Sequence, residues 1–314
     1  MVPNVSAFDP LLADPDPEVR RVGILQAADL LDGTDAGPFL AAAGDPDPGV
    51  RLEAVRALEG VADARAVDAL VERLGDADAE VAAAAAASLA ELRDPAAGPH
   101  LLAHLAGARG APRAAILEGL RNLRLPAAGG PAVDALGDPA PAVRRAALGV
   151  LAYLRPPGAV PAMAALTRDP DPGVRRTAVG AIGFSAGPDA LAALLQALDD
   201  AAWEVREEAA VTLAKVGLEA AAPRLVEALR TDASWEVRVK AASGLARLVH
   251  QGAVGALCEA LRHPVSNLRK EAASALGVLA SPASAPALLA ACEDPDIEVR
   301  KLAGRALEKL GRLP

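Results

Sequence analysis

The chain has 314 residues, of which 52% are hydrophobic but only 2% aromatic, and its formal net charge is −9. A globular core fills its centre with large aromatic residues, whereas a thin two-layer helical array has no deep centre and needs only small ones. The acidic total argues against duplex nucleic acid as the main partner, because phosphate binding needs clustered cations.

The N-terminus lacks the basic and apolar regions of a secretion signal, and Asp, Arg, Gly or Pro interrupts every apolar run before it reaches membrane-spanning length. The two cysteines, Cys258 and Cys292, are too few for a disulfide framework or a metal cluster. We therefore expect a soluble, cytoplasmic protein that is monomeric on its own and uses no cofactor.

A motif of Asp, Pro, Val and Arg recurs along the chain, most clearly as DPDPEVR, DPDPGVR and DPAPAVR. Its apolar anchor recurs in steps of 31 residues, with one step of 32 and one of 62, at Val19, Val50, Val81, Val143, Val174, Val205, Val237, Leu268 and Val299. The long step predicts a degenerate copy near 107–124, where Arg113 stands in the place of the motif arginine. This copy lacks the Asp–Pro turn and contains the weak segment GARGAP, which motivates the hypothesis that the chain is locally more flexible here and could serve as a hinge.

Each copy is predicted to form two helices joined by a turn. The second aspartate of the turn, as in Asp16, Asp47 and Asp171, suits the N-cap of the second helix. The proline that follows suits the first helical position, where a missing N–H costs nothing. Small or apolar residues four, eight and eleven positions past each anchor then form one buried helix face.

The D-x-D-P-x-V-R turns and the A-x-x-x-L helices after them resemble the HEAT-like repeats named after the phycobilin lyases. The resemblance covers nearly the whole chain. It implies an all-α fold, a right-handed α-solenoid of about ten 31-residue helical hairpins, with the second helices lining the concave face. We expect a single continuous array over residues 1–314 with caps at both ends, because a lone helical pair cannot bury its apolar face.

The resemblance leaves the function open. The first hypothesis is a non-catalytic scaffold or adaptor that binds another protein or peptide in the concave groove. The second is a bilin-lyase-like or cofactor-assembly chaperone, and the third is a nucleic-acid binder that uses the more basic C-terminal hundred residues. A di-iron hydroxylase of the deoxyhypusine type is not expected, because none of the four histidines is followed by Glu.

The arginine that follows each anchor is predicted to be structural. We expect bidentate pairs between these arginines and turn aspartates of the same or the next repeat; the alternative is a ladder of anion sites. The residues given this structural role are Asp16, Arg20, Asp47, Arg51, Arg113, Arg144, Asp171, Arg175, Arg206, Arg238, Arg269 and Arg300.

Histidine and cysteine patterns point to no catalytic or metal residue. His100 and His104 have the spacing of zinc ligands on a helix, but no third ligand lies nearby in the sequence. Cys258 and Cys292 are predicted to be small buried residues on the first helices of neighbouring repeats. His263 would lie on the wrong face of its helix to act as a base for Cys258.

The aromatic residues mark the predicted partner site, because four of the six lie within 153–235. Tyr153 and Phe184 both stand ten residues past their anchors, off the predicted core face, while Trp203 and Trp235 stand two residues before theirs. Aromatic and arginine side chains are enriched in binding hot spots; alternatively, the tryptophans merely pack over a neighbouring loop. The charged residues predicted to surround them are Arg145, Arg176, Glu207, Glu208, Lys240 and Arg247.

Overall fold

The computed structural model describes residues 8–31, 36–61, 63–185 and 187–311. Over these residues the chain forms twenty α-helices and several short 3-10 turns, and no strand. The helices fall into two compact units, residues 1–159 and 160–314. The all-α, repeated architecture expected from the sequence is confirmed, while the number of repeats and their union in one array stay predictions. None of the described helices has the length and apolar character needed to cross a membrane.

The helices of the first unit alternate between two layers. The first layer contains α1 (Asp9–Leu12), α3 (Gly37–Ala42), α5 (Ala64–Arg73), α7 (Gly98–Leu105) and α9 (Gly129–Ala135). The second layer contains α2 (Pro17–Leu31), α4 (Pro48–Ala57), α6 (Ala79–Ala90), α8 (Gly110–Leu123) and α10 (Pro141–Leu154). Each second-layer helix packs against the first-layer helix before it, and the second-layer helices from α2 to α10 pack side by side in succession.

The second unit has the same alternation from α11 onward. Its first-layer helices are α11 (Ala159–Ala165), α13 (Pro188–Ala197), α15 (Ala222–Thr231), α17 (Val254–Ala260) and α19 (Ala285–Ala291). Its second-layer helices are α12 (Pro172–Ala181), α14 (Trp203–Val216), α16 (Trp235–Arg247), α18 (Ser266–Leu279) and α20 (Ile297–Lys309). Successive second-layer helices again pack side by side.

The turn chemistry sets where the second-layer helices begin. Asp47 caps α4 by accepting a hydrogen bond from the Val50 amide, and Asp171 caps α12 by accepting one from the Val174 amide. The proline after each aspartate occupies the first helical position, as the sequence predicts. The anchors from Val50 onward are buried, so each helix starts with its apolar face against the core.

The degenerate copy forms a regular helix. Helix α8 spans Gly110–Leu123, and its buried residues include Ile116, Leu117 and Leu120. It packs against both α6 and α10 within the second layer of the first unit. Loss of the Asp–Pro turn therefore removes a cap without removing the helix, and the proposed hinge at 107–124 stays a prediction.

Candidate functional site

The arginines that follow the anchors form ion pairs from turn to turn. Arg51 donates from Nε and Nη2 to both carboxylate oxygens of Asp76, at 2.8 and 2.7 Å. Its Nη1 donates to the Asp45 and Pro46 carbonyls of its own turn. The Asp76 carboxylate also accepts the amide of Asp78. Each such arginine therefore closes its own turn and binds the next one.

We call this series of contacts the arginine ladder. Bidentate pairs of the same geometry join Arg20–Asp45, Arg51–Asp76, Arg175–Asp200, Arg206–Asp232 and Arg269–Asp294. Arg113 reaches Asp138 through one bond of 2.7 Å. Arg144 and Arg300 donate to carbonyls of their own turns. The carboxylate in each of these pairs is the first aspartate of the following turn, whereas the second aspartate, such as Asp16, accepts a helix amide.

The ladder lowers the pKa of its carboxylates. The hydrogen bond from Arg51 holds the pKa of Asp76 below its usual value, and Arg269 does the same for Asp294. Burial raises the pKa of Asp45, Asp200 and Asp232, but hydrogen bonds from arginines and amides outweigh it, and the net pKa is lowered.

We expect acid to destabilise the protein through these aspartates. The pKa of these carboxylates is lower in the folded than in the unfolded chain. Their contribution to the free energy of unfolding is therefore fully present above the unfolded pKa of about 3.9 and is lost as the pH falls through the folded pKa. Urea unfolding followed by circular dichroism at about pH 7, 5 and 3 measures the effect. The urea concentration at the midpoint of unfolding should decrease when the pH is lowered from about 5 to about 3. A midpoint that stays constant over this interval would contradict the expectation.

Two tryptophans stand at matching positions of neighbouring helices in the second unit. Trp203 is the first residue of α14 and Trp235 the first of α16, and these helices pack side by side. Trp203 is 39% exposed, and Trp235 is half-buried. Each ring is therefore partly packed and partly open to a partner.

Charged side chains of α12, α14 and α16 pair between neighbouring helices. Arg176 on α12 lies 3.7 Å from Glu208 on α14, and Glu207 on α14 lies 3.8 Å from Lys240 on α16. Arg176 and Lys240 are 51% and 42% exposed, whereas Glu208 and Glu207 are 22% and 20% exposed. Pairs with an exposed cation contribute about 0–1 kcal/mol, so the two cations can exchange partners at little cost. The predicted residues on the second-layer helices of this unit are Trp203, Trp235, Arg176, Glu207, Glu208, Lys240 and the exposed Arg247, and we call this predicted set the tryptophan surface.

Tyr153 and Phe184 share a repeat position but not a structural setting. Tyr153 lies within α10 of the first unit and is 44% exposed, whereas Phe184 follows α12 of the second unit and is half-buried. Because α12 ends at Ala181, helical periodicity does not determine the direction of residue 184. The expected placement of Phe184 in the groove therefore stays a prediction.

An additional arginine contacts Tyr153 within the first unit. The Arg124 guanidinium lies 5.0 Å from the centroid of the tyrosine ring, a cation–π distance. Arg124 follows α8 in the left-handed conformation, with φ 57°. Arg124 was not predicted from the sequence, although it stands just past the end of a second helix, as Arg155 does. The predicted Arg145, also on α10, is exposed.

His100 and His104 have a third neighbour that sequence spacing did not reveal. Asp68 on α5 places its Oδ1 2.9 Å from His104 Nε2 and 3.4 Å from His100 Nδ1. It was missed because it belongs to the preceding repeat. Over the described residues, no group of three or more His, Cys, Asp or Glu side chains could hold a metal ion.

The cysteines are half-buried rather than fully buried, and Cys292 lies just past the end of α19 instead of within it. Burial raises the pKa of both thiols, Cys258 and Cys292. A raised pKa disfavours the thiolate, which is the nucleophilic form.

Comparison with known families gives a clear result. A family model of HEAT repeats matches residues 36–121, 131–214, 166–238 and 222–308. The chain belongs to the HEAT-repeat family. No curated protein matches the sequence of this HEAT-repeat chain.

Solved structures share its fold at low identity. An engineered protein is 22% identical, with a TM-score of 0.55 over 99% of both chains. YibA of E. coli is 20% identical, with a TM-score of 0.54 over 92% of this HEAT-repeat chain and 95% of its own. Kap95p, solved with RanGDP, is 16% identical, with a TM-score of 0.66 over 98% of this chain but only 50% of its own. These likenesses show the fold alone.

Proposed function

We propose that this HEAT-repeat protein is a non-catalytic scaffold that binds a partner protein or peptide on its second-layer helices. The observation that carries the proposal is the placement of Trp203 and Trp235 at the first positions of adjacent helices. Tryptophan is among the residues most enriched in binding hot spots. A structural neighbour, Kap95p, is described as binding RanGDP, which is consistent with a protein partner.

The proposed contact is the tryptophan surface of the second unit. The resemblance to HEAT-like repeats makes the second-layer face the concave one, so the partner would lie in that groove. An apolar side chain of the partner would cover Trp203, while its charged groups would replace the weak pairs of Arg176 with Glu208 and Glu207 with Lys240. Tyr153 and Arg145 are proposed as a separate contact in the first unit.

Alanine at both tryptophans is expected to abolish partner binding. Hot-spot residues contribute about 2 kcal/mol or more each, so the Trp203→Ala, Trp235→Ala variant should bind at least about 30-fold more weakly. The immobilised protein is incubated with lysate of its source cells, the retained partner is identified, and its affinity for both proteins is measured. Circular dichroism first establishes that the variant stays helical.

A matched control is available in the same layer. Ile297 is the first residue of α20 and is exposed, so Ile297→Ala removes an apolar side chain from the equivalent helix position. It should leave binding unchanged. Equal binding by the wild type and the folded tryptophan variant would rule out the tryptophan surface, and the absence of any retained protein would contradict the scaffold proposal.

A further inference from the structure

One turn of the second unit carries histidine where the arginine ladder elsewhere has its carboxylate. Arg206 pairs with Asp232 and Arg269 pairs with Asp294, 26 and 25 residues further along. Between them in the series, Arg238 has a histidine at the corresponding position, residue 263. An imidazole cannot accept two parallel guanidinium N–H bonds as a carboxylate does. The bidentate contact is therefore missing at this turn.

The Arg238 guanidinium is turned relative to those in the bidentate pairs. In these pairs Nε and Nη2 bind the next aspartate, and Nη1 binds carbonyls of the same turn, as in Arg269. In Arg238 it is Nε that donates to its own turn, to the Asp232 carbonyl at 2.6 Å. The Asp232 carboxylate is occupied by Arg206. The Nη groups of Arg238 thus make neither the contact to the next aspartate nor the contact to carbonyls of the same turn that Arg269 makes.

A cavity of about 270 Å³ opens at this turn. Its charged and polar lining consists of Arg230, Arg238, Glu259, Arg262 and His263. Arg230 and Glu259 neutralise each other through two bonds of 3.0 Å. Arg238 and Arg262 have no acidic side chain within ion-pair distance among the described residues, so the cavity carries an excess of positive charge.

His263 makes one of the two contacts that an aspartate makes at this position, the one to the backbone amide of its own turn. Its Nδ1 accepts the Val265 amide at 3.1 Å, just as Asp294 Oδ1 accepts the amide of Asp296. Burial, together with Arg238 and Arg269, lowers the pKa of His263, which favours the neutral ring. With Nδ1 as acceptor, the hydrogen of the neutral ring resides on Nε2, which is then a donor.

We propose that this cavity binds a carboxylate of an acidic protein segment at the Nη groups of Arg238, which lack the aspartate partner found in the neighbouring turns. Because Arg238 Nε is bound to the Asp232 carbonyl, the two parallel N–H donors are those of Nη1 and Nη2, a geometry that a carboxylate accepts strongly. His263 Nε2 provides a third donor, and Arg262 adds a second positive charge to the cavity. The inference deepens the proposed function, on which it rests, by naming the chemistry of a second partner contact.

The first test uses a peptide that copies the turn of this chain. Acetyl-Asp-Pro-Asp-amide is titrated into the full-length protein, and the imidazole NMR signals of its four histidines are followed. The His263 signal should shift with a saturable curve, and Asn-Pro-Asn peptide should not shift it. Arg238→Gln should weaken binding at least about tenfold, the effect of losing one charge-assisted contact. As the control, Arg305→Gln removes an equal charge from an exposed position of α20 and should leave the affinity for the peptide unchanged.

The second test supplies the missing carboxylate within the chain. His263→Asp should pair with Arg238, raise the thermal midpoint and weaken peptide binding, measured by calorimetry, at least about tenfold. Undiminished binding by this variant, no saturable shift in the wild type, or tighter binding of inorganic phosphate than of the peptide would each overturn the assignment. The readout is local to the cavity, so it stays informative even if the tryptophan variant shows that the proposed scaffold surface is wrong.

Discussion

Replacement of Arg51 by alanine is expected to lower the free energy of unfolding by about 3 kcal/mol. The side chain of its partner, Asp76, is only 3% exposed, and the variant would leave it with the Asp78 amide and a longer contact to Arg73 at 3.5 Å. Removing one member of a buried, hydrogen-bonded ion pair costs about 3–5 kcal/mol, because the remaining charge is buried without compensation. Urea unfolding followed by circular dichroism measures the change.

A second arginine of the same helix provides the control. Arg56 contacts Glu80 at 3.3 Å, also between α4 and α6, and both of these side chains are more than half exposed. Arg56 also contacts Glu53 of its own helix at 3.3 Å, but Glu53 keeps a contact to Arg21 when Arg56 is removed. Arg56→Ala should therefore cost less than about 1 kcal/mol. If the two variants lose stability equally, the ladder does not stabilise the contact between turns as its geometry indicates.

Side chains added at Gly119 are expected to destabilise the first unit, by about 1 kcal/mol for Gly119→Ala and about 3 kcal/mol for Gly119→Leu. A Cβ here would lie 3.0 Å from the Leu89 carbonyl oxygen of α6 and 3.2 Å from Leu101 Cδ1. The backbone oxygen cannot rotate away, so α6 and α8 would have to separate. This cost exceeds the gain of about 1 kcal/mol that alanine brings inside a helix. Thermal and urea unfolding measure both variants.

Gly304 is the matched control, because it also lies within a second-layer helix, α20. Apart from its chain neighbours and the backbone of its own helix, no atom lies within 4 Å of the position that its Cβ would occupy. Gly304→Ala should therefore stabilise the protein by about 0.5–1 kcal/mol through helix propensity alone. Loss of stability at both glycines would show that close approach of α6 and α8 is not the reason for glycine at 119.

Local features of the fold could be predicted because their causes are local. The start of α4 at Pro48 and of α12 at Pro172 follows from an aspartate cap and a proline, which are adjacent in the sequence. The buried anchors follow from helical spacing over a few residues. Helical spacing does not extend to Phe184, because α12 ends three residues earlier, at Ala181.

Contacts between repeats were harder to predict, because spacing within one copy says nothing about its neighbour. The motif arginines were expected to bind aspartates, but the choice between the same and the next turn needed coordinates. Asp68 beside His100 and His104 was missed for the same reason. The histidine at 263 was visible in the aligned copies, but its meaning depended on knowing that Arg238 would otherwise bind a carboxylate there.

The ladder joins an arginine of one copy to an aspartate of the next. A complete copy, such as the one with Asp200 and Arg206, therefore offers an acceptor at one side and a donor at the other. In-frame duplication of such a 31-residue segment would leave donors and acceptors matched across the new junction. Such a chain can change its length over evolution by whole copies without redesign of its contacts. A copy inserted after Arg238 would give this arginine a carboxylate, and the arginine of the inserted copy would then face His263 instead.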